Sequence, residues 1–244
     1  MRGLNKIIKL FEKGNVCVVG LRGCGKDMLF ANVVARRKQP YVSNTDYKAK
    51  RSTYIPLDFG KLDVKNNWEN FVSGEIIPYD YPYPENCDTY IADCGIYLPS
   101  QYCNELNRKY SQFPVYYALS RHIANANVHF NVQNLNRVWD KLREQSDTYI
   151  RVTGCKVLGK IVFQRCVVYD KYSACVDRVE PYKHIRIPLL ASKEMRAMLR
   201  QKDEEMYRKF KETHGSVKAY TLVYINKSNY DTRLFKGVLS GKKK

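Results

Sequence analysis

Residues Val16–Met28 read VCVVGLRGCGKDM, an apolar run that breaks into glycines and restarts as an apolar-periodic segment. The spacing of Gly20, Gly25 and Lys26 is G-x-x-x-x-G-K. It has a strand candidate before it and a helix candidate after it, the context in which this spacing cradles phosphates. Glycines at 20, 23 and 25 let the backbone wrap closely around an anion. Backbone N–H groups and the helix N-terminus then face that anion, and Lys26 adds a formal charge for the outer phosphates. Gly20, Leu21, Arg22, Gly23, Cys24, Gly25, Lys26, Asp27 and Met28 are therefore the candidate nucleotide site. A glycine-rich turn without a ligand is the plainer alternative, and the lysine at the right spacing argues against it.

Asp27 stands where a Ser or Thr hydroxyl ordinarily helps to hold Mg²⁺. A carboxylate can ligate Mg²⁺ directly, but it also sets a negative charge beside the phosphates. The expected nucleotide affinity is therefore lowered or strongly metal-dependent.

The chain has 244 residues, enough for one large α/β domain with a full core. Lys and Arg number 42 against 24 Asp and Glu, a formal charge of +18. Such a balance points to a polyanionic partner, nucleic acid first and an anionic membrane surface second. No apolar run of about 18 residues is present to span a bilayer, and the N-terminal MRGLNKIIKLFEKG is too short in its apolar part for a signal peptide. A cytosolic protein without a transmembrane segment is expected. The 8 cysteines form no C-x-x-C pair and no zinc-spaced cluster, and read as buried small apolar residues.

Asn5–Lys13, with Ile7, Ile8, Leu10 and Phe11, is a brief amphipathic helix or an extended lead-in. After the glycine loop, Met28, Leu29, Val33 and Val34 recur at helical spacing up to Arg36-Arg37-Lys38, with Pro40 as the stop. Tyr41–Ser43 reads as a second strand, giving the strand-loop-helix-strand order of parallel α/β folds. Residues 45–88 are rich in Pro and Tyr, with one modest helical piece at Asn67–Val72. Tyr79, Tyr81 and Tyr83 could stack on bases, although packing of such a loop on its own domain is commoner.

Thr89–Asp93 is a strand ending in a carboxylate, on the edge where α/β sheets bind ligands, so Asp93 is a candidate to orient Mg²⁺ through water. Pro99–Arg108 and Pro114–Asn125 read as helices. Val128–Val132 is a strand whose tip, Gln133, can hydrogen-bond a γ-phosphate or an attacking water. Val138, Trp139, Leu142 and Arg143 fall on the helix after it. From Thr148 the pattern changes to short runs, TYIRVTGCKVLG, KIVFQRCVVYDK and HIRIPLL, a hairpin or meander with turns at Gly154 and Gly159. Ser192 caps a helix over about 192–214, with Met195, Met198, Leu199, Met206 and Phe210 as an apolar stripe and Gly215 as the stop. A solvated helix face and a partner-docking one are both open.

The order GLRGCGKD, YIADCG, ALSRHIANANVHFNVQNLNRVWDKLRE and NYDTRLFKG resembles the Zot-like (zonular occludens toxin-type) P-loop NTPase domain of filamentous-phage assembly proteins. The resemblance covers most of residues 13–171, with a weaker echo at Tyr230-Asp231-Thr232. It implies an α/β P-loop NTPase with a mainly parallel central sheet flanked by helices, followed by the C-terminal hairpin or meander and long helix. Residues 1–171 would form the core and 172–244 an extension with that helix and the basic Lys242-Lys243-Lys244 tail.

By the same resemblance, Gly20–Asp27 bind ATP, Asp93 assists Mg²⁺ with Asp27, Gln133 senses the γ-phosphate, and Arg143 reaches a neighbouring subunit's nucleotide. Lys26, Asp93, Gln133 and Arg143 are then the candidate catalytic residues. Arg143 could equally pair with Asp140 or Glu144, and His122 could contact the site or be satisfied locally. Asp27 and Cys94 depart from the family's usual hydroxyl and acidic residues, and no membrane span follows the domain. The implied partners are single-stranded DNA, phage assembly or membrane-channel proteins, and further copies of the chain. The implied location is the host cytoplasm, peripheral at the inner face of the membrane. Two functions fit: an oligomeric ATPase that drives phage DNA during virion assembly and extrusion, or a nucleotide-gated, non-hydrolysing DNA-binding scaffold.

Overall fold

All four residues of β1 (Val16–Val19) are buried, because the strand is central and both faces of its sheet are covered. Cys17 and Val19 enter one apolar cluster and Val16 and Val18 the other, as the two-residue period of a strand requires. The computed structural model describes residues 2–58, 83–102, 117, 120–122 and 124–227. The expected helix at Asn67–Val72, Tyr79 and Tyr81, most of the two helices after Pro99 and Pro114, Tyr230-Asp231-Thr232 and the lysine tail lie outside the described residues.

The chain runs α1 (Arg2–Lys13), β1, α2 (Lys26–Arg37), β2 (Tyr41–Ser43), β3 (Tyr54–Pro56), β4 (Asp88–Ile91), α3 (Cys94–Tyr97) and β5 (Val128–Val132). It continues as α4 (Asp140–Arg143), β6 (Thr148–Leu158), β7 (Ile161–Tyr169), α5 (Tyr172–Val176), α6 (Lys193–His214) and β8 (Val217–Ile225). The strands form one 8-stranded sheet in the order β3-β2-β4-β5-β1-β6-β7-β8. Neighbours from β3 to β6 are parallel, and β7 and β8 are added antiparallel. This is the expected α/β fold, a mainly parallel sheet flanked by helices with a C-terminal meander and a long helix. No helix among the described residues is long and apolar enough to cross a membrane.

The N-terminal segment is helix rather than lead-in: Leu4, Ile7 and Phe11 repeat at helical spacing, are buried, and join α2 on one face of the sheet. Phe11 sets its ring edge-on to Phe30 of α2, with centroids 5.9 Å apart. Tyr83 belongs to the core of the other face, which is the packing outcome for the one described residue of the trio Tyr79, Tyr81 and Tyr83.

Three expectations are corrected. Gly154 makes no turn; it lies inside β6, where the register with β7 slips between Val152 and Gly154, a β-bulge. The β6–β7 turn falls at Gly159, whose φ of +57° suits a two-residue hairpin connection. HIRIPLL forms no strand, because Asp203 of α6 takes the Ile185 N–H at 2.8 Å and the Tyr182 hydroxyl at 3.0 Å, and Pro188 has no N–H to give. The helix expected to carry Val138, Trp139, Leu142 and Arg143 is the single turn Asp140–Arg143, since the Trp139 N–H is drawn to the Leu98 carbonyl at 3.0 Å.

Helix α6 starts and ends as its sequence signals require: Ser192 Oγ accepts from the Met195 N–H at 3.2 Å, and Gly215 follows the last turn. Its apolar stripe is not buried. Met195, Met198 and Met206 are exposed, and Phe210 alone of the five packs partly on the core.

At the N-terminal edge of the sheet, Asp88 joins three elements. Its carboxylate pairs with Arg37 of α2, accepts the Asn127 N–H at 2.9 Å, and faces His129 Nε2 of β5 at 3.3 Å. His129 Nδ1 accepts from the Val16 N–H, so its proton sits on Nε2 and the buried ring is neutral. Burial is the larger influence on His129 and lowers its pKa, against the pull of Asp88. Burial would raise the Asp88 carboxyl, but the hydrogen bonds from His129 and Asn127 and the Arg37 charge outweigh it and hold it below its ordinary value.

Both shifts mean that the unfolded chain binds the extra proton first, so stability rises with pH. The His129 contribution is complete above its ordinary value of about 6.5 and is lost as pH falls below it; Asp88 adds to the loss only below about pH 4. Urea midpoints should therefore fall between pH 7.5 and pH 5 in the wild type. A His129→Asn variant should be flatter over that interval; an equal slope would rule out His129 as the source.

Candidate nucleotide site

Every strand from β1 to β6 runs the same way, so the glycine loop after β1, the exit of β4 and the tip of β5 meet at one edge. Because β5 lies between β4 and β1, Gln133 sits between the two other elements. The loop is fastened at its start, where the Gly20 N–H donates to the Val132 carbonyl at 3.1 Å. A Cβ on Gly20 would meet Cys24 Sγ at 2.4 Å and the Val152 carbonyl at 2.7 Å, so only glycine fits. Gly25 leads into α2 at φ +93°, and its carbonyl accepts the first helical bond from Leu29.

That end of the loop is held from an unexpected direction. Gln164 of β7 is buried and donates Nε2 to the Gly25 carbonyl at 2.8 Å, while its Oε1 accepts from the Tyr224 hydroxyl of β8 at 3.0 Å. The antiparallel meander thus backs the loop, and a Cβ on Gly25 would lie 2.7 Å from Cys155 Cβ of β6. Sequence alone carried no signal for Gln164 or Tyr224, which lie about 140 and 200 residues from the loop they support.

Lys26 is buried at the helix start, and its Nζ lies 3.7 Å from Asp93 Oδ1. The strand expected to end at Asp93 stops at Ile91; Asp93 follows in a left-handed conformation, φ +47°, at the N-terminus of α3. The break comes from Asn44, whose amide clamps Ala92 in both directions, accepting its N–H at 2.8 Å and donating to its carbonyl at 2.9 Å. Asp93 Oδ1 is buried and has no hydrogen-bond partner.

Asp27 is linked to Asp93 through Asn131, a buried residue of β5 that the sequence reading passed over. Asn131 Nδ2 donates to Asp27 Oδ1 at 2.8 Å, and its Oδ1 accepts the Asp93 N–H at 2.9 Å. Burial, and then the charge of Asp93, push the Asp27 carboxyl above its ordinary value; Lys26 and the Asn131 bond only partly offset them. Two carboxylates thus share one ammonium. The set fits Mg²⁺: hard oxygens from Asp27 and Asp93, one of them buried without a hydrogen bond. Among the described residues no group of three or more His, Cys, Asp or Glu is placed to hold a metal, so the remaining ligands would be phosphate oxygens and water.

Leu21, Arg22 and Gly23 are exposed at the loop tip, Cys24 is half-buried, and Met28 packs into the α2-side core. Gln133 is exposed and, with Gly20, Leu21 and Arg151, lines a cavity of about 440 Å³ beside the loop. Cys94 is fully buried and burial raises its thiol pKa, so it offers no base to an attacking water.

Arg143 stands apart from these residues. It precedes β6, whose first residue pairs with the first of β1, so it lies at the edge opposite the loop. There its Nη2 is 3.8 Å from Glu144 Oε1, and the guanidinium lies 5.5 Å from the Tyr172 ring centre. His122, exposed on the helical segment before β5, is also remote from the loop.

No family model and no curated protein matches this chain. Several solved structures are similar to it. The genome-packaging NTPase B204 from Sulfolobus turreted icosahedral virus 2, in complex with ATP-gammaS, is 13% identical over 66% of this chain and 94% of that one, with a TM-score of 0.39. The N-terminal domain of zonular occludens toxin from Neisseria meningitidis is 10% identical over 91% and 97%, with a TM-score of 0.38. EssC (ATPases 2 and 3) from Geobacillus thermodenitrificans is 10% identical over 85% of this chain and 46% of that one, with a TM-score of 0.41.

Proposed function

We propose that the chain binds ATP with Mg²⁺ at Gly20–Met28 and works as an ATPase on DNA, most directly in moving phage DNA during virion assembly and extrusion. The observation that carries this reading is the glycine loop itself, closed onto a helix N-terminus with buried Lys26 facing Asp93 and Asp27. In this reading the loop N–H groups and the α2 N-terminus bind the inner phosphates. Lys26 binds an outer phosphate oxygen, and Gln133 orients the attacking water. Asp27 and Asp93 would hold Mg²⁺, which when bound would supply charge neutralisation for the phosphates. The formal charge of +18 suits a phosphate-backbone partner, single-stranded DNA, with salt-sensitive affinity. Arg143 does not reach its own loop, so any part it has in turnover is played at a neighbouring copy's site.

A second reading, a nucleotide-gated assembly scaffold that hydrolyses little, is favoured by one observation: buried Cys94 leaves the position after Asp93 without a base. Phosphate release from ATP, with and without single-stranded DNA, separates the two. The motor reading expects turnover that rises on adding DNA. Tight binding without release in the wild type, with release appearing in Asp27→Ser, would select the scaffold.

A further inference from the structure

Arg151 belongs to β6 and pairs directly with Val19, the residue that leads into the glycine loop. Its neighbours Ile150 and Val152 face the α2 side of the sheet, with Val16 and Val18. Arg151 itself lies against α5 on the other side, where Nη2 donates to the Cys175 carbonyl at 2.5 Å. Its Nε is buried without a hydrogen-bond partner. Among the described residues no ion pair includes Arg151; Arg36 shares the buried, unpartnered Nε and the lack of an ion pair, but Arg151 is the one of the two that lines the cavity beside the loop. No carboxylate among the described residues offsets the charge of this half-buried guanidinium, so an anion arriving beside it is favoured. The cavity beside the loop is where it would enter, since Arg151 lines that cavity together with Gly20, Leu21, Gln133 and the exposed Arg178.

We propose that Arg151 is a contact, within the same chain, for the terminal phosphate of the bound nucleoside triphosphate, with Arg178 as the second cation of that wall. This inference rests on the nucleotide reading above. The inner phosphates belong to the loop and to α2, whose N-terminus approaches from the opposite side of the sheet. The cavity opens at the beginning of the loop and contains Gln133, so the group presented to Arg151 is the outermost one. A guanidinium there tells a triphosphate from a diphosphate by charge-assisted hydrogen bonds that only the terminal phosphate can accept.

The test is calorimetric titration with Mg²⁺ and either ATP-gammaS or ADP, on the wild type and on Arg151→Gln, Arg151→Lys and Arg178→Gln. Glutamine can keep a donor to the Cys175 carbonyl while removing the charge. Arg151→Gln is expected to lose about tenfold in ATP-gammaS affinity while ADP affinity stays within about threefold, and Arg151→Lys to recover part of the loss. Arg178 is exposed, so Arg178→Gln keeps the fold and gives a smaller loss of the same selective kind. Equal losses for both nucleotides, or an unchanged ratio in both Gln variants, would overturn the inference and leave nucleotide binding standing. A wild type that binds neither nucleotide would overturn the nucleotide reading and this inference with it.

Discussion

Lys26→Ala is expected to lower ATP affinity by about 100-fold or more and to abolish any turnover, while the chain stays folded. Lys26 is buried, and its ammonium is the cation nearest two carboxylates, Asp93 at 3.7 Å and the coupled Asp27. Removing it costs the charge-assisted bond to phosphate, about 1.5–3 kcal/mol, which alone is about ten- to a hundredfold. It also leaves Asp27 and Asp93 facing a triphosphate with no lysine between them, and repulsion at that range adds to the loss. The same carboxylates make the wild-type affinity depend steeply on Mg²⁺, so chelation should mimic much of the substitution. Titration of a fluorescent ATP analogue with and without chelator measures both effects. An affinity unchanged in Lys26→Ala would remove the glycine loop from consideration as a phosphate site.

The unit from Val16 to Ser43 was legible in the sequence because its signals are local: glycine spacing, an apolar period of two that becomes one near 3.6, and a proline stop. Gln133 was legible for the same reason, at the end of a strand buried on both faces. The exit of β4 was misread by two residues because the break is imposed by Asn44, a distant side chain that captures the Ala92 backbone. Asn131 looked like any polar residue in a strand, and its role appears only when β5 is seen between β4 and β1. Gln164 and Tyr224 were illegible on the same ground, since antiparallel strands from the far end of the chain come to rest behind Gly25. Arg151 read as one of 42 basic residues; its place in the cavity wall, with no carboxylate partner among the described residues, is a property of the packing around it.

Helix α2 is anchored at both ends, at Gly25 through Gln164 and at Arg37 through Asp88, and the second anchor gives the largest expected effect on stability. Asp88→Ala should lower the unfolding free energy by about 3–5 kcal/mol, the usual consequence of stranding one member of a buried ion pair. The stranded groups are Arg37, whose side chain is 11% exposed, the Asn127 N–H and the His129 Nε2–H. For a chain of this size that corresponds to roughly 6–20 °C in melting temperature. If the loss comes from an uncompensated charge, an Asp88→Ala, Arg37→Leu double variant should recover part of it, with a coupling of about 1–3 kcal/mol in the double-mutant cycle. Strictly additive losses would assign the effect to packing instead. Well below its melting temperature, Asp88→Ala should keep nucleotide affinity within about threefold of wild type. The anchor it breaks lies at the opposite end of α2 from Lys26, and the Gln164 and Tyr224 support behind Gly25 is untouched.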